Sequence, residues 1–212
     1  MSHFDNNQNL RESIVSCARK MNSSGINQGT SGNISARLNN GMLITPSSVS
    51  YSEMEASDIL YVDFNGKIIE ENRYLNQSTK KLYPSSEWRI HADILNQRKE
   101  INAVLHCHAI YSTALSCHQK NIPSFHYMVA LAGGSDIRCA KYATFGTERL
   151  SSYVIKALEG RLACLLAHHG QISIGKSLSD AFKLAIEIET LAHIYLEACQ
   201  LGEPVNLSQE EM

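Results

Sequence analysis

The chain has 212 residues, 43% of them apolar and 19% charged, which is typical of one globular domain with its own core, here spanning residues 1–212. The net charge of -2 and the pI near 6.5 exclude the basic surface that a nucleic-acid partner requires. The N-terminus lacks a signal-peptide layout, and the longest apolar run, Ala163–Ala167, cannot cross a bilayer, so we expect a cytoplasmic protein without a membrane partner. Six separated cysteines without a CxxC pair are expected to stay reduced.

Helix-like and strand-like patterns alternate along the chain. Apolar residues at helical spacing predict helices over residues 10–21, from about 85 to 95, over 111–118, over 150–158 and from 177 to 199. Strand-like runs lie at residues 41–45, 59–64, 67–69, 101–108, 163–167 and 171–174, and a polar loop is expected over 70–83. Hairpin-linked strands with separate helices predict a layered α/β domain with much antiparallel sheet, in which the strand order is not readable.

Three histidines form a candidate metal site. Side chains alternate along the strand predicted over 101–108, so His106 and His108 point the same way and can bind one ion. A predicted loop later in the chain carries His168 and His169, and one of them would complete the three protein ligands of an open catalytic zinc site. The alternative is that the first two are solvated strand residues and the His-His pair is a turn.

Three short segments are candidate anion sites. Gly29–Asn33, Thr45–Ser48 and Pro84–Glu87 each combine hydroxyl groups with backbone N–H groups that a glycine or a helix start can turn toward a ligand. None of them has a P-loop or GxGxxG pattern, so nucleotide binding is not supported. Taken singly, each is more typical of an ordinary turn or cap. Glu87 could complement a helix dipole, or could ligate a metal or move a proton beside one.

Seven segments in this order resemble the class II aldolase/adducin family. They are GTSGNIS (29–35), MLITPSS (42–48), PSSEWRIH (84–91), AVLHCHA (103–109), IPSFHYMVALAGG (122–134), YATFGT (142–147) and AHHGQIS (167–173). The resemblance covers the chain from about Leu10 to Pro204. It implies a three-layer α/β/α sandwich with a central, mainly antiparallel sheet. It also implies a homotetramer whose active sites lie at subunit interfaces.

The resemblance also implies roles for individual residues. It places one Zn2+ ion, or another divalent metal, on His106, His108 and His169 of each subunit. It makes Glu87 the proton-transfer residue, able to occupy the fourth metal position when substrate is absent, and it has Tyr127 act across the subunit interface on the aldehyde oxygen. The implied contacts to the substrate and its phosphate are Thr30, Gly32, Asn33, Ser47, Ser48, Ser85, Ser86 and Phe145. Ser48 stands where the family often has glycine.

The implied reaction is the reversible cleavage of a small phosphorylated sugar. The substrate would be a ketose 1-phosphate of the L-fuculose 1-phosphate type, and the products dihydroxyacetone phosphate and a short aldehyde such as lactaldehyde. A divalent metal serves such a cleavage as a Lewis acid that stabilises the enediolate. The other aldolase strategy needs an activated lysine, and the best candidate, Lys141, has no supporting neighbours.

Other readings remain open within the family. One is an aldolase for another ketose 1-phosphate such as 5-deoxyribulose 1-phosphate. A methylthioribulose 1-phosphate dehydratase and a pentulose phosphate 4-epimerase would use the same metal site. A non-enzymatic, adducin-like assembly module is the reading from a different class of protein, and it predicts that the metal ligands are lost, whereas all of them stand here.

Overall fold

A computed structural model describes residues 3–70 and 81–212. The helices are α1 (His3–Ser23), α2 (Trp88–Gln97), α3 (Ile110–Cys117), α4 (Glu148–Ala157) and α5 (Leu178–Gln200). The strands are β1 (Asn33–Leu38), β2 (Gly41–Ile44), β3 (Leu60–Asp63), β4 (Ile68–Glu70), β5 (Ala103–Cys107), β6 (Arg138–Ala140), β7 (Ala163–Leu166) and β8 (Gly170–Gly175). Short 3-10 turns occupy Ala56–Asp58 and Tyr127–Ala132.

All the described strands form one sheet in the order β4-β3-β2-β1-β5-β8-β7-β6. Each neighbouring pair is antiparallel except β6 and β7, which run parallel. In the centre, β5 lies between β1 and β8, so that His106 is opposite Asn33 on one side and Ile172 on the other. The mainly antiparallel sheet expected from the sequence is confirmed.

Helices cover both faces of this sheet because alternate strand residues are apolar on each face. On one face, Leu105 and Cys107 of β5 pack in a core cluster with residues of α1 and α5. On the other face, Val104 packs in a second cluster with residues of α2 and α4. The α/β/α sandwich is therefore confirmed, and the alternation turns His106 toward the layer that contains α2.

The structure adds two strands that the sequence pattern did not indicate. β1 was missed because Asn33 and Ser35, which are buried on one face, are polar, so the segment does not read as an apolar run. β6 was missed because its three residues, unlike those of β4, do not follow a hairpin-turn pair such as Asn65-Gly66. Most of the loop predicted over 70–83 lies outside the described residues.

The described helices include none that combines the length and apolarity needed to cross a membrane. The six cysteines are unpaired. Burial raises the pKa of the Cys107 thiol to about 12, so this residue behaves as a small core side chain.

Candidate metal centre

Three imidazoles converge at the carboxyl end of β5. The ligand nitrogens of His106, His108 and His169 all lie within 4.8 Å of one another. Neighbouring ring centroids are 4.7 to 4.9 Å apart. The first two histidines come from the β5 segment, two residues apart, and the third comes from the turn between β7 and β8. The structure thus brings together the three residues expected from the sequence.

A hydrogen bond fixes which nitrogen of His106 faces the centre. Its Nδ1–H donates to the carbonyl oxygen of Gln171 at 2.9 Å, which in the neutral imidazole leaves Nε2 with a lone pair. This Nε2 lies 3.0 Å from Nε2 of His108 and 3.2 Å from Oε2 of Glu87. Electron-rich atoms this close repel one another unless a proton or a metal ion lies among them, and three convergent imidazoles are ligands that a metal ion can bind.

Glu87 supplies a fourth candidate ligand. It is the residue before α2, is 5% exposed and accepts a hydrogen bond at Oε2 from the Asn33 amide at 3.1 Å. Its Oε1 lies 3.5 Å from Nε2 of His169 and has no hydrogen-bond partner among the described residues. A buried, unsatisfied carboxylate oxygen is rare and indicates an ion or substrate group that completes the site. Three imidazoles and one carboxylate are a donor set that Zn2+ accepts.

The charge states of these groups also favour a cation. Burial, together with the neighbouring His106, lowers the pKa of His108 and of His169 to about 4, so both are neutral at pH 7. Burial opposes ionisation of Glu87, but His106 above all outweighs it and holds the carboxyl pKa well below its ordinary value. Burial likewise opposes a charge on His106, yet the Glu87 carboxylate raises that pKa above its ordinary value. The centre therefore attracts one positive charge.

The turn that carries His169 is tightly held. His168 has a φ of 55°, a left-handed conformation that non-glycine residues rarely adopt. The His169 N–H donates to Ser116 Oγ at 3.3 Å. A Cβ at Gly170 would lie 2.5 Å from the carbonyl oxygen of Cys107, so only glycine lets the turn come this close to β5.

Two of the three candidate anion segments lie side by side. The Ser85 N–H donates to the Thr45 carbonyl at 3.1 Å, and the Ser47 N–H donates to the Tyr83 carbonyl at 2.8 Å. Ser47, Ser48 and Ser86 are exposed, whereas Ser85 is buried. Hydroxyl groups of both segments therefore meet beside the start of α2.

The first anion segment, Gly29–Asn33, leads into β1, and its residues differ in their exposure to solvent. Thr30 is exposed. Gly32 is buried, and a Cβ there would lie 2.7 Å from the carbonyl oxygen of His106, so glycine allows the two backbone segments to approach closely. The Asn33 side chain is also buried, and its amide is directed to Glu87. Only Thr30 of these three is open to a ligand from solvent.

Phe145 and Tyr127 are exposed in a single chain, at 63% and 66%. Phe145 adjoins Gly146, whose Cβ position would be 2.8 Å from the Ser86 carbonyl, so it lies beside the anion segments. Tyr127 stacks on His126, with ring centroids 4.8 Å apart. No hydrogen bond within residues 3–70 and 81–212 joins Tyr127 to the histidine cluster.

His91 is a residue of the site that the sequence reasoning did not single out. It is fully buried, and its ring nitrogens pair with Asn33 Oδ1 at 2.5 Å and Ser35 Oγ at 2.7 Å. Burial lowers its pKa to about 3, so the imidazole is neutral. The available signal was its spacing, because a residue four positions after Glu87 lies on the same helix face.

Comparison with known proteins agrees with this geometry. The chain belongs to the Class II Aldolase and Adducin N-terminal domain family, whose profile matches residues 12–196. A 5-methylthioribulose-1-phosphate/5-deoxyribulose-1-phosphate aldolase of Rhodospirillum rubrum is 47% identical over 203 residues, which are 96% of this chain and 87% of that one. An L-fuculose phosphate aldolase of Escherichia coli is 45% identical over 204 residues, with 96% and 90% covered. A solved structure of an L-fuculose 1-phosphate aldolase superposes with a TM-score of 0.88 at 38% identity, with 96% and 92% covered.

The chain is accordingly an enzyme, a lyase of the class II aldolase type, and this class depends on a metal. The three-histidine cluster is where the described residues offer the ligands for it. Lys141, the best lysine for a Schiff base, is exposed and is not needed for this chemistry.

Proposed function

We propose that this chain, as a single domain of residues 1–212, is a zinc-dependent aldolase that reversibly cleaves a ketose 1-phosphate into dihydroxyacetone phosphate and a short aldehyde. The observation that carries the proposal is the Glu87 carboxylate, whose buried Oε1 is unpaired beside three convergent imidazoles. A general base next to a Lewis-acid site is what deprotonation beside a carbonyl group requires.

The histidines, Glu87 and Tyr127 are proposed to have separate roles in the reaction. A divalent ion held by His106, His108 and His169 would polarise the substrate oxygens next to the bond that breaks. Glu87 is ionised and has a free oxygen, so in the synthetic direction it takes a proton from the carbon beside the carbonyl of dihydroxyacetone phosphate. Tyr127 of a neighbouring subunit then donates a proton to the aldehyde oxygen.

The phosphate of the substrate is proposed to bind where the anion segments meet. The exposed hydroxyl groups of Ser47, Ser48 and Ser86, together with Thr30, are accessible there. The buried Asn33 and Ser85 are proposed to support the phosphate site indirectly, because each makes a hydrogen bond to Glu87. Gly32, also buried, is proposed to support it by letting the backbone pass close to His106. Phe145 is proposed to line the entrance beside Ser86.

The two relatives, at 47% and 45% identity, support two kinds of aldehyde product almost equally. L-fuculose 1-phosphate would release lactaldehyde, whereas 5-deoxyribulose 1-phosphate would release acetaldehyde and its methylthio analogue would release methylthioacetaldehyde. The second set is a candidate in its own right because the Rhodospirillum rubrum relative at 47% identity is named for those two substrates. All three substrates share the dihydroxyacetone phosphate half, so the proposed chemistry at Glu87 is the same for each.

Product analysis with purified, zinc-loaded protein tests this proposal. Each of the three ketose phosphates is supplied separately, and dihydroxyacetone phosphate is measured by coupled reduction. We expect cleavage of at least one, with kcat/KM ranking the aldehyde portions, and complete loss after chelation followed by recovery with Zn2+. Failure to cleave any of the three, or activity that survives removal of the metal, would refute the assignment.

Three further proposals accompany this function. The bound metal is zinc, because three imidazoles and a carboxylate suit its tetrahedral preference; elemental analysis of protein purified without added metal checks this. The chain forms a homotetramer with active sites at subunit interfaces, which native mass spectrometry tests. The enzyme works in the cytoplasm, a location that suits its six unpaired cysteines.

A further inference from the structure

A chain of three buried hydrogen bonds leads from Glu87, away from the histidine cluster, to Ser35. Asn33 Nδ2 lies 3.1 Å from Glu87 Oε2, His91 Nε2 lies 2.5 Å from Asn33 Oδ1, and Ser35 Oγ lies 2.7 Å from His91 Nδ1. The four side chains are 0 to 5% exposed. The chain spans β1 and α2, and the mechanism proposed above gives no role to its last two members.

The direction of every bond in this chain follows from the ionised carboxylate. Glu87 can only accept, so Asn33 presents its NH2 group to Glu87 and its oxygen to His91. His91 must therefore donate from Nε2, which leaves Nδ1 as an acceptor for the Ser35 hydroxyl. One arrangement of protons satisfies all four groups.

We propose that His91, supported by Ser35, is a positioning residue that keeps the Asn33 amide nitrogen turned toward Glu87. If the Asn33 amide turned over, its oxygen would face Oε2 of Glu87 and two acceptors would repel each other. Held as observed, Asn33 restrains Oε2, and Oε1 stays directed toward His169 and the substrate. This inference rests on the proposed role of Glu87 in proton transfer.

The polar character of these positions supports a role beyond packing. The neighbouring positions on α2, Ile90 and Ile94, are fully buried and apolar, and an apolar residue at position 91 would avoid the desolvation cost of an imidazole. Ser35 likewise faces inward from β1. Buried polar groups of this kind are tolerated when every hydrogen bond is made, and they then specify one geometry.

Two substitutions of His91 separate its two hydrogen bonds. In His91→Gln the longer amide reaches the place of Nε2 and can still donate to Asn33. In His91→Asn the shorter amide reaches only the place of Nδ1 and can pair with Ser35 alone. Both variants keep a neutral polar side chain, so a purely structural role predicts similar effects for both.

The test compares kcat, KM and metal content of both variants with those of the wild type, using the ketose phosphate that the wild type cleaves. A second measurement, without aldehyde, follows the exchange with D2O of the proton on the carbon beside the carbonyl of dihydroxyacetone phosphate. H91N should lose about 10-fold to 100-fold in kcat and in exchange rate. Its KM and zinc stoichiometry should stay near wild type, and H91Q should keep most of the wild-type kcat and exchange.

Equal kcat values for H91N and H91Q, or a loss seen only in KM or zinc content, overturn the positioning role. A wild-type protein that neither cleaves nor exchanges overturns the proposed function itself, so the two failures are distinguishable. A nitrogen-15 spectrum of the wild type tests the arrangement without any variant. We expect His91 as the neutral Nε2–H tautomer, and an Nδ1–H tautomer contradicts the inference.

Discussion

The two oxygens of Glu87 have different surroundings, and this difference determines what an amide in its place would do. Oε2 accepts a hydrogen bond from Asn33, whereas Oε1 lies beside His169 without a hydrogen-bond partner among the described residues. Glu87→Gln keeps the size of the side chain but removes the base. We expect kcat to fall by about 10²-fold to 10⁴-fold, while three imidazoles still hold zinc. Steady-state kinetics with elemental analysis measures both quantities.

A glutamate outside the site provides the control for this substitution. Glu148 is exposed in the first turn of α4, and Glu148→Gln should leave kcat and zinc content unchanged. If E87Q retained wild-type turnover, Glu87 would have no part in proton transfer.

Ser48 has a φ of 61°, in the left-handed region where a side chain is strained and glycine is not. Ser48→Gly should therefore raise the free energy of unfolding by about 1 kcal/mol, since the strain relieved exceeds the added entropy of the unfolded chain. Because the exposed hydroxyl is a proposed phosphate contact, KM for the ketose phosphate should rise in the same variant. Urea denaturation at fixed protein concentration and steady-state kinetics test these two effects.

Ser47 is the matched control because it is exposed, adjacent and not in the left-handed region. Ser47→Gly should lower the free energy of unfolding by roughly 0.5 kcal/mol, mainly through unfolded-state entropy. Both variants remove the same exposed contact between Ser47 Oγ and Ser48 Oγ at 3.4 Å, so it does not affect the comparison. A destabilised S48G protein would mean that the Ser48 side chain contributes more than its backbone strain costs.

At the scale of elements, α2 carries both the catalytic candidate and a buried neutral histidine. The pKa of His91 is lowered from 6.5 to about 3 in the folded state, mainly by burial. Between these values the unfolded chain binds the proton and the folded chain does not. The free energy of unfolding is therefore highest above pH 6.5 and decreases as the pH is lowered from 6.5 toward 3. The contribution to the slope is at most about 1.4 kcal/mol per pH unit.

Urea denaturation from pH 7.5 down to 4 isolates this effect by comparing wild type with His91→Gln, both treated with chelator. The wild type should lose stability more steeply below pH 6.5. Glu87 acts in a lower window, because its depressed pKa maintains its contribution until the pH falls below the ordinary carboxyl value. Parallel curves for the two proteins would show that His91 does not titrate on unfolding.

Elements with regular patterns were predictable, and those shaped by the site were less so. The alternation along β5 places His106 and His108 on one side and Cys107 in the opposite core, as local geometry requires. The pattern of β1 failed because Asn33 and Ser35 are polar at buried positions, and their partners lie on α2. Polar residues that are buried because they serve the site do not follow the apolar pattern from which strands are predicted.

At the scale of the whole molecule, the site depends on pairings that no local pattern contains. β5 pairs with β1 and β8, which lie far from it in the sequence, and only this order places Asn33 and the Gln171 carbonyl beside His106. The sequence showed which residues could bind a metal, and the likeness to a family indicated which of the His-His pair would do so. Neither could reveal that Asn33 joins His91 to Glu87, because this link depends on β1 packing against α2.

Within a single chain, Tyr127 is exposed and makes no hydrogen bond to the histidine cluster among the described residues. Its proposed role across a subunit interface can therefore be tested with mixed oligomers. Tyr127→Phe and E87Q should each lose about 10²-fold or more of turnover. If each site takes Glu87 from one subunit and Tyr127 from its neighbour, mixed oligomers contain sites with both residues intact. Random mixing in equal amounts would restore about one quarter of the wild-type sites.

Co-expression of the two variants with different tags, followed by purification through both tags, yields the mixed oligomers for assay. Mixing the separately folded homo-oligomers without exchange is the control and should restore nothing. Recovery only in the hybrids would place Tyr127 across an interface, since no arrangement within one subunit reunites residues mutated on different chains. Hybrids as inactive as their parents would mean that Glu87 and Tyr127 act from the same chain. A Y127F parent with wild-type turnover would mean that Tyr127 does not act at all.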